Sequence, residues 1–185
     1  LAMCLADEER VVIAGGAFGI EGAAHRGVFT AAGQTIAVLA TGVDRRYPAA
    51  HSELLDRIGD PGLLVSELPP GAMPTKDRFQ ARNRLMAALS GAVVIPEAGP
   101  RSGSMRTVHN AHSLGRRVGA VPGPVTSVVS TGPNELIKQG LAAVVTQASD
   151  VIALLDADAS EGPSVTPSWF GIGLEAGRES PGRSL

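Results

Sequence analysis

The apolar positions of this chain fall into short continuous runs, separated by glycine or proline breaks and by stretches of helical spacing. The runs are Val11-Val12-Ile13-Ala14, Thr35-Ile36-Ala37-Val38-Leu39-Ala40, Leu63-Leu64-Val65-Ser66, Ala92-Val93-Val94-Ile95 and Val118-Gly119-Ala120-Val121. Most are apolar at every position rather than at every second one, as strands covered on both faces are. Between them the spacing predicts helices over 20–32, 49–58, 78–89, 104–114 and 134–138, and a further helix already under way at Leu1 and Leu5. Strand alternating with helix predicts an α/β fold: an open, mostly parallel sheet with helices on both faces.

In such a sheet ligands bind beyond the carboxyl ends of the strands, where loops run into helix N-termini. Those loops are Gly15-Gly16-Ala17-Phe18-Gly19, Thr41-Gly42-Val43-Asp44, the segment 67–77, the segment 96–103 and Pro122-Gly123-Pro124. Length and charge narrow what they can do. A chain of 185 residues, 44% hydrophobic and 18% charged, is sized for one buried core. Its net charge of −2 excludes a strongly basic chain, so any anion site must be local. Residues 156–185 hold five acids and two bases among Ser, Gly and Pro, which reads as an acidic tail following a domain over 1–155. Between Lys76 and Arg117 lie eight bases against two acids. A single cysteine, Cys4, excludes an internal disulfide and a multi-cysteine metal cage, and fits the cytoplasm. No apolar run reaches the roughly 18 residues of a membrane span, and the acidic start is unlike a secretory leader.

Three stretches carry candidate chemistry. Gly15-Gly16-x-x-Gly19-x-x-Gly22 follows a strand and opens a helix, so a phosphate can approach backbone N–H groups there, Gly15, Gly16, Phe18 and Gly19 being the contact positions. It is not a strict dinucleotide fingerprint, although Asp44 lies where a ribose-binding acid would sit, and no P-loop sequence is present. The second stretch, Lys76-Asp77-Arg78-Phe79-Gln80-Ala81-Arg82-Asn83-Arg84, sets a cationic helix face beside one ring, a pairing suited to phosphodiester and base. Its bland reading is a solvated face with Phe79 turned inward. In the third, Ser102-Gly103-Ser104 stands at a helix start and can cap it or hold an anion. Only six aromatics are present, which makes Phe18, Tyr47 and Phe79 the rings to follow. The histidine pair His109 and His112, and Glu21 with His25, have helical spacing for a metal but no third ligand in register. Gly-x-Ser-x-Gly is absent and no nucleophile relay is marked.

Taken together, the Gly15–Glu21 block with Ala24-His25-Arg26-Gly27, the block ending Thr41-Gly42-Val43-Asp44 with Tyr47-Pro48, and Ser66-Glu67-Leu68-Pro69-Pro70-Gly71 resemble the DNA-processing protein A family (DprA, or Smf). Phe79-Gln80-Ala81-Arg82-Asn83-Arg84, Glu97-Ala98, Ser102-Gly103-Ser104, Val121-Pro122-Gly123 and Gly132-Pro133-Asn134-Glu135-Leu136-Ile137 follow in the family's order, so that the resemblance covers about 11–155. It implies a Rossmann-like, cytoplasmic, dimeric protein that binds single-stranded DNA without cutting it, needs no cofactor, and helps load the RecA recombinase in natural transformation. Carried over by position, Lys76 would meet phosphate and Phe79 a base. Arg82, Asn83 and Arg84 would support the pocket or the backbone path.

The chain departs from the family at Ala14, Phe18 and Glu21, where Ser, a cation and Asp are usual. Without the cation at Phe18 one phosphate contact is lost, which weakens binding and flattens its salt dependence; the ring there offers a second stacking surface instead. Arg106 and His109-Asn110 stand where small apolar residues are usual. The strand and glycine turn that the family places ahead of Leu1 are expected to be missing, leaving an apolar sheet edge. Two other functions compete. The related nucleoside-monophosphate phosphoribohydrolases carry a carboxylate soon after the loop at 96–104; here none occurs through Leu114, so the general acid or base is lacking. A small-nucleotide binder would keep the Gly15–Gly19 and Ser102–Ser104 loops but gain nothing from longer ligands.

Overall fold

The computed structural model describes residues 1–156. The expectation of an acidic tail over 156–185 therefore lies, beyond Asp156, outside the described residues. In chain order the elements are α1 (Ala2–Asp7), β1 (Val12–Gly15), α2 (Ile20–Thr30), β2 (Thr35–Val38), α3 (Ser52–Gly59, entered through a 3-10 turn at Ala49–His51) and β3 (Leu63–Val65). The second half continues with α4 (Lys76–Leu89), β4 (Ala92–Ile95), α5 (Ser104–Ser113), β5 (Arg117–Ala120), α6 (Thr131–Lys138), β6 (Ala143–Val144) and α7 (Ala148–Asp156). Strand and helix alternate as the pattern predicts, and every strand pair is parallel.

Hydrogen bonding divides the strands into two ladders, β1-β2-β3 and β4-β5-β6. Register pairs Ile13 with Ile36 and Ile36 with Leu63 in the first, and Val94 with Gly119 and Gly119 with Ala143 in the second. Consecutive strand residues point to opposite faces, so the full burial of both Ala37 and Val38 means that both faces of β2 are covered. Strands β1 and β4 are each paired on one side only. Their open edges line one cavity of about 1070 Å³, with Ile13, Ala14, Val93 and Val94 among its walls.

Each ladder has its own core. Ala37, Leu39, Leu54, Leu55 and Ile58 pack the first, with Phe29 and Leu64 at its margin. Leu55 and Ile58 lie on one face of α3 and are fully buried, each worth about 1.5–3 kcal/mol of burial. The second core is built mainly of small residues, including Ala87, Ala98, Ala111, Ala120 and Ala142, closed by Val108, Val118, Leu136 and Leu141.

The helix starts explain two departures from the predicted bounds. Helix α4 begins at Lys76, two residues early, because the Thr75 hydroxyl caps it by accepting the Arg78 N–H at 3.2 Å. Helix α7 was not predicted; Asp150 fixes its start by accepting the Thr146 and Gln147 N–H groups and the Thr146 hydroxyl. Those bonds, the Thr146 N–H foremost, hold the Asp150 carboxyl below the usual range. In the loop after β5, Asn134 of α6 both donates to and accepts from the Gly123 backbone, at 2.9 and 3.1 Å. Among the described residues no helix is long and apolar enough to cross a membrane.

Candidate functional site

The carboxyl ends of β1, β2 and β3 each lead to one of the three rings singled out in the sequence. Phe18 follows β1, Tyr47 follows β2, and Phe79 stands one turn into the helix after β3. Phe18 is 63% exposed and leans edge-on against His51, ring centroids 4.6 Å apart. Tyr47 is 46% exposed, its ring 6.0 Å from that of half-buried Phe79 and tilted by 58°. The reading in which Phe79 is lost into the core is therefore incomplete: the ring lies at the boundary, against Tyr47 on one side and 5.5 Å from the Arg82 guanidinium carbon.

A buried polar network holds the first of these loops. Arg82 is 7% exposed; its guanidinium donates to a Glu21 carboxylate oxygen at 3.1 Å and to the Val38 carbonyl at 3.0 Å. Burial lowers its pKa and the Glu21 carboxylate opposes that shift, leaving a guanidinium still far above neutrality. Glu21 also accepts the Ala17 N–H at 2.7 Å and so fixes the turn into α2. Gly15 is obligatory here, because a Cβ on it would fall 1.7 Å from Arg82 Nη1. Gly19 has φ +82, a conformation that glycine adopts without cost.

Two histidines lie under the same loop. His25 is fully buried with Nε2 2.9 Å from the Gly15 carbonyl and Nδ1 2.8 Å from the Thr35 hydroxyl. A carbonyl only accepts, so the neutral ring carries its proton on Nε2. The Thr35 hydroxyl donates to the Val12 carbonyl at 2.7 Å and lies within hydrogen-bond distance of Nδ1. Burial pushes the His25 pKa down, against the Gly15 carbonyl and the Glu21 charge. His51 reaches the Gly16 carbonyl at 3.0 Å through Nδ1.

The predicted cationic face of α4 divides. Arg78 and Arg82 do not form one basic surface: Arg82 is buried, and the Arg78 Nη1 donates to the Met73 carbonyl. Arg84 is exposed and donates to both oxygens of Glu67, at 2.7 and 2.8 Å. Lys76 is exposed one turn before Phe79. Asn83 is buried and donates to the Gly103 carbonyl at 3.1 Å, which ties α4 to the third candidate loop. There the Ser102 hydroxyl accepts the Ser104 N–H at 3.2 Å and donates to the Ser104 hydroxyl at 3.0 Å. Phe79, Arg82, Asn83, Ser102, Gly103 and Ser104 all border the large slot, whereas Lys76 and Phe18 are exposed and do not line it. Arg116 and Arg117, two of the eight bases in the basic stretch, lie at the amino end of β5, opposite the loops.

The structure also accounts for residues offered other roles by spacing. Asp44 does not face a ribose site; its carboxylate accepts the Gly71 N–H at 2.8 and 3.0 Å. His112 reaches the Leu141 carbonyl at 2.9 Å, and no three metal-ligating side chains come together among the described residues. Glu21 and His51 were not among the sequence candidates for this site. The signals for Glu21 are its place in the first turn after the glycine loop and its standing where the resembled family has Asp.

Residues 1–156 match the family model for DNA recombination-mediator protein A. A DprA relative from Mycobacterium tuberculosis is 51% identical over 152 residues, which is 82% of this chain and 39% of that protein. The DNA processing protein DprA of Streptococcus pneumoniae is 44% identical over 147 residues, 80% of this chain and 52% of the relative. The chain thus spans about half, or less, of the curated relatives it matches. Its fold superposes on the crystal structure of the pneumococcal protein with a TM-score of 0.76 at 41% identity, over 82% of this chain and 53% of that one. A structure of DNA processing protein A from Helicobacter pylori, described for its single-stranded DNA binding mode, matches with a TM-score of 0.75 at 32% identity, over 84% of this chain and 70% of that one.

Proposed function

The chain belongs to the DNA recombination-mediator protein A family, and on that footing we propose that it binds single-stranded DNA across the carboxyl ends of β1–β3. The observation that carries this reading is the placing of three rings, one per strand end, Phe18 and Tyr47 exposed and Phe79 half-buried, beside an exposed lysine. Rings offer stacking surfaces to any base, and cations follow the phosphates; together they bind single strands without reading sequence. Lys76 takes a phosphate, Phe79 and Phe18 take bases, and the Gly15–Gly19 loop admits the backbone closely. Arg82 and Asn83 hold the loops from beneath, while Arg84, engaged by Glu67, steadies the 66–71 segment. The chemistry is binding rather than cleavage: Glu21 is committed to Arg82 and the Ala17 N–H, and α5 carries no carboxylate for N-glycosidic hydrolysis. In the same proposal the protein acts as a homodimer and delivers the bound strand to the RecA recombinase, as the family's description as a recombination mediator supports.

The test is fluorescence anisotropy of a labelled oligo-dT of about 20 to 40 nucleotides at two salt concentrations, beside a Lys76→Ala/Phe79→Ala double variant. Affinity that falls with salt and is lost in the folded double variant supports the proposal. Binding of AMP as tight as binding of the oligomer would replace it with a mononucleotide site. Size-exclusion chromatography with light scattering checks the dimer, and RecA filament assembly on the bound strand checks delivery.

A further inference from the structure

A second recess, which Phe79 does not line, opens beside Tyr47. It encloses about 290 Å³ between Tyr47, Met73 and Pro74, with Thr41, Asp44, Arg45 and Arg46 completing its wall. The two ends of this wall are fixed. Thr41 donates its hydroxyl proton to the Arg45 carbonyl at 2.9 Å, and Arg45 Nε donates to the Gly71 carbonyl at 3.0 Å. Arg46 is held by Asp56 at 2.6 Å and by the Val43 carbonyl. Asp44, the only acid in the wall, is engaged by the Gly71 N–H. The apolar part is Tyr47, Met73 and Pro74, of which Tyr47 and Met73 are exposed and open to a ligand.

The geometry of the two rings decides how bases can use them. Stacked bases lie about 3.4 Å apart, so a base held between two rings needs parallel faces about 7 Å apart. Tyr47 and Phe79 are 6.0 Å apart and tilted by 58°, so no base fits between them. Successive bases of a strand crossing this surface must therefore take the outer faces: one on Phe79, at the rim of the large slot, and one on Tyr47, in the recess.

We infer that the recess is a nucleobase subsite, with Tyr47 as its stacking wall, Met73 and Pro74 opposite, and the Arg45 side facing the sugar-phosphate. It extends the proposed single-stranded DNA site, on which it rests, by one nucleotide beyond Phe79. The contact is with the ring face and not with the hydroxyl, so the subsite accepts any base and prefers the larger ones.

The closing experiment measures binding of a labelled oligo-dT and of a sugar-phosphate oligomer of the same length without bases, to the full chain and to Tyr47→Leu, Tyr47→Phe and Met73→Glu. Tyr47→Leu is expected to weaken oligo-dT binding by about fivefold or more, the low end of what one base stacked on an aromatic is worth. Tyr47→Phe, which keeps the ring, restores it, and neither change alters binding of the abasic oligomer. Met73→Glu lies on an exposed side chain, folds irrespective of the fate of Tyr47→Leu, and weakens oligo-dT binding to a similar degree. Unchanged oligo-dT affinity in folded Tyr47→Leu and Met73→Glu, with Lys76→Ala still losing it, would overturn the subsite and leave the DNA site standing. Equal loss for the abasic oligomer would make Tyr47 a backbone or folding residue, and would also overturn it. If the unaltered chain binds no oligo-dT, both readings fall together.

Discussion

The two ladders are alike in plan and unlike in what holds them. The first, β1–β3, has a small apolar core and a set of buried polar side chains under its loops: His25, Thr35, Thr41, His51 and, reaching in from α4, Arg82. The second, β4–β6, has a larger core in which five of eleven buried residues are alanine, fewer buried polar side chains, Thr107 and Ser130, and a loop after β4 held by its own serine and by Asn83. Buried polar groups are costly unless each finds its partner. That cost is accepted in the half that presents the rings, where the network fixes the glycine loop and with it the position of Phe18.

The strongest way to break this contrast is to remove its central cation. Arg82→Ala leaves Glu21 without its cation and the Val38 carbonyl unpaired in a buried place. Because the Glu21 side chain keeps 25% exposure, the cost is expected near the lower end for a broken buried pair, about 3 kcal/mol, read as a fall in urea midpoint at unchanged m-value. A change below about 1 kcal/mol, the worth of a surface pair, would mean that the pair does not hold the loop. Gly15→Ala should act through the same arginine, since its new Cβ occupies the guanidinium's place. The two substitutions together are then expected to cost less than their sum by about 1 kcal/mol or more. Strict additivity would separate the glycine from the arginine.

Protonation supplies a gentler perturbation, again confined to the first half. His25 has a depressed pKa in the fold, so the unfolded chain binds its proton at a higher pH than the native chain does. Stability is therefore complete above the ordinary histidine pKa of about 6.5. It is lost as pH falls below that value toward the native pKa, with a slope of at most about 1.4 kcal/mol per pH unit. His25→Gln should flatten this part of the profile. Amide exchange at pH 5.5 should quicken in β1–β3 before β4–β6; simultaneous quickening in both ladders would erase the distinction drawn between them.

How far this was legible in the sequence follows from the range of the interactions. Continuous apolar runs marked five strands, because burial on both faces leaves a local signature. The two-residue β6 was invisible, and α7 was missed because its cap, Asp150 on the Thr146 and Gln147 backbone, had not been weighed against an apolar stretch that ends in acid. The rings and Lys76, exposed or half-buried, are legible as candidates from residue type and from their place after a strand end. What could not be read was the division of labour within Arg82-Asn83-Arg84: Arg82 finds Glu21 sixty-one positions away, and no local pattern distinguishes it from Arg84. A charge count does not separate them either, since it pools a buried guanidinium and Arg116 and Arg117 at the amino end of β5 with the exposed cations of the same stretch.

Arg84 sharpens the comparison from the other side, by a change expected to do almost nothing to the fold. Its guanidinium meets both Glu67 oxygens, yet the side chains remain 59% and 44% exposed, so solvent and salt screen the pair. Arg84→Ala should shift stability by about 0.5 kcal/mol or less, against several times that for its neighbour two positions earlier. Because the carboxylate already occupies the guanidinium, the salt dependence of oligo-dT binding should keep its slope. A slope smaller by about 0.7, one phosphate contact's share on a single strand, would show Arg84 leaving Glu67 for the DNA, and would move it from the support of the 66–71 segment to the path of the strand.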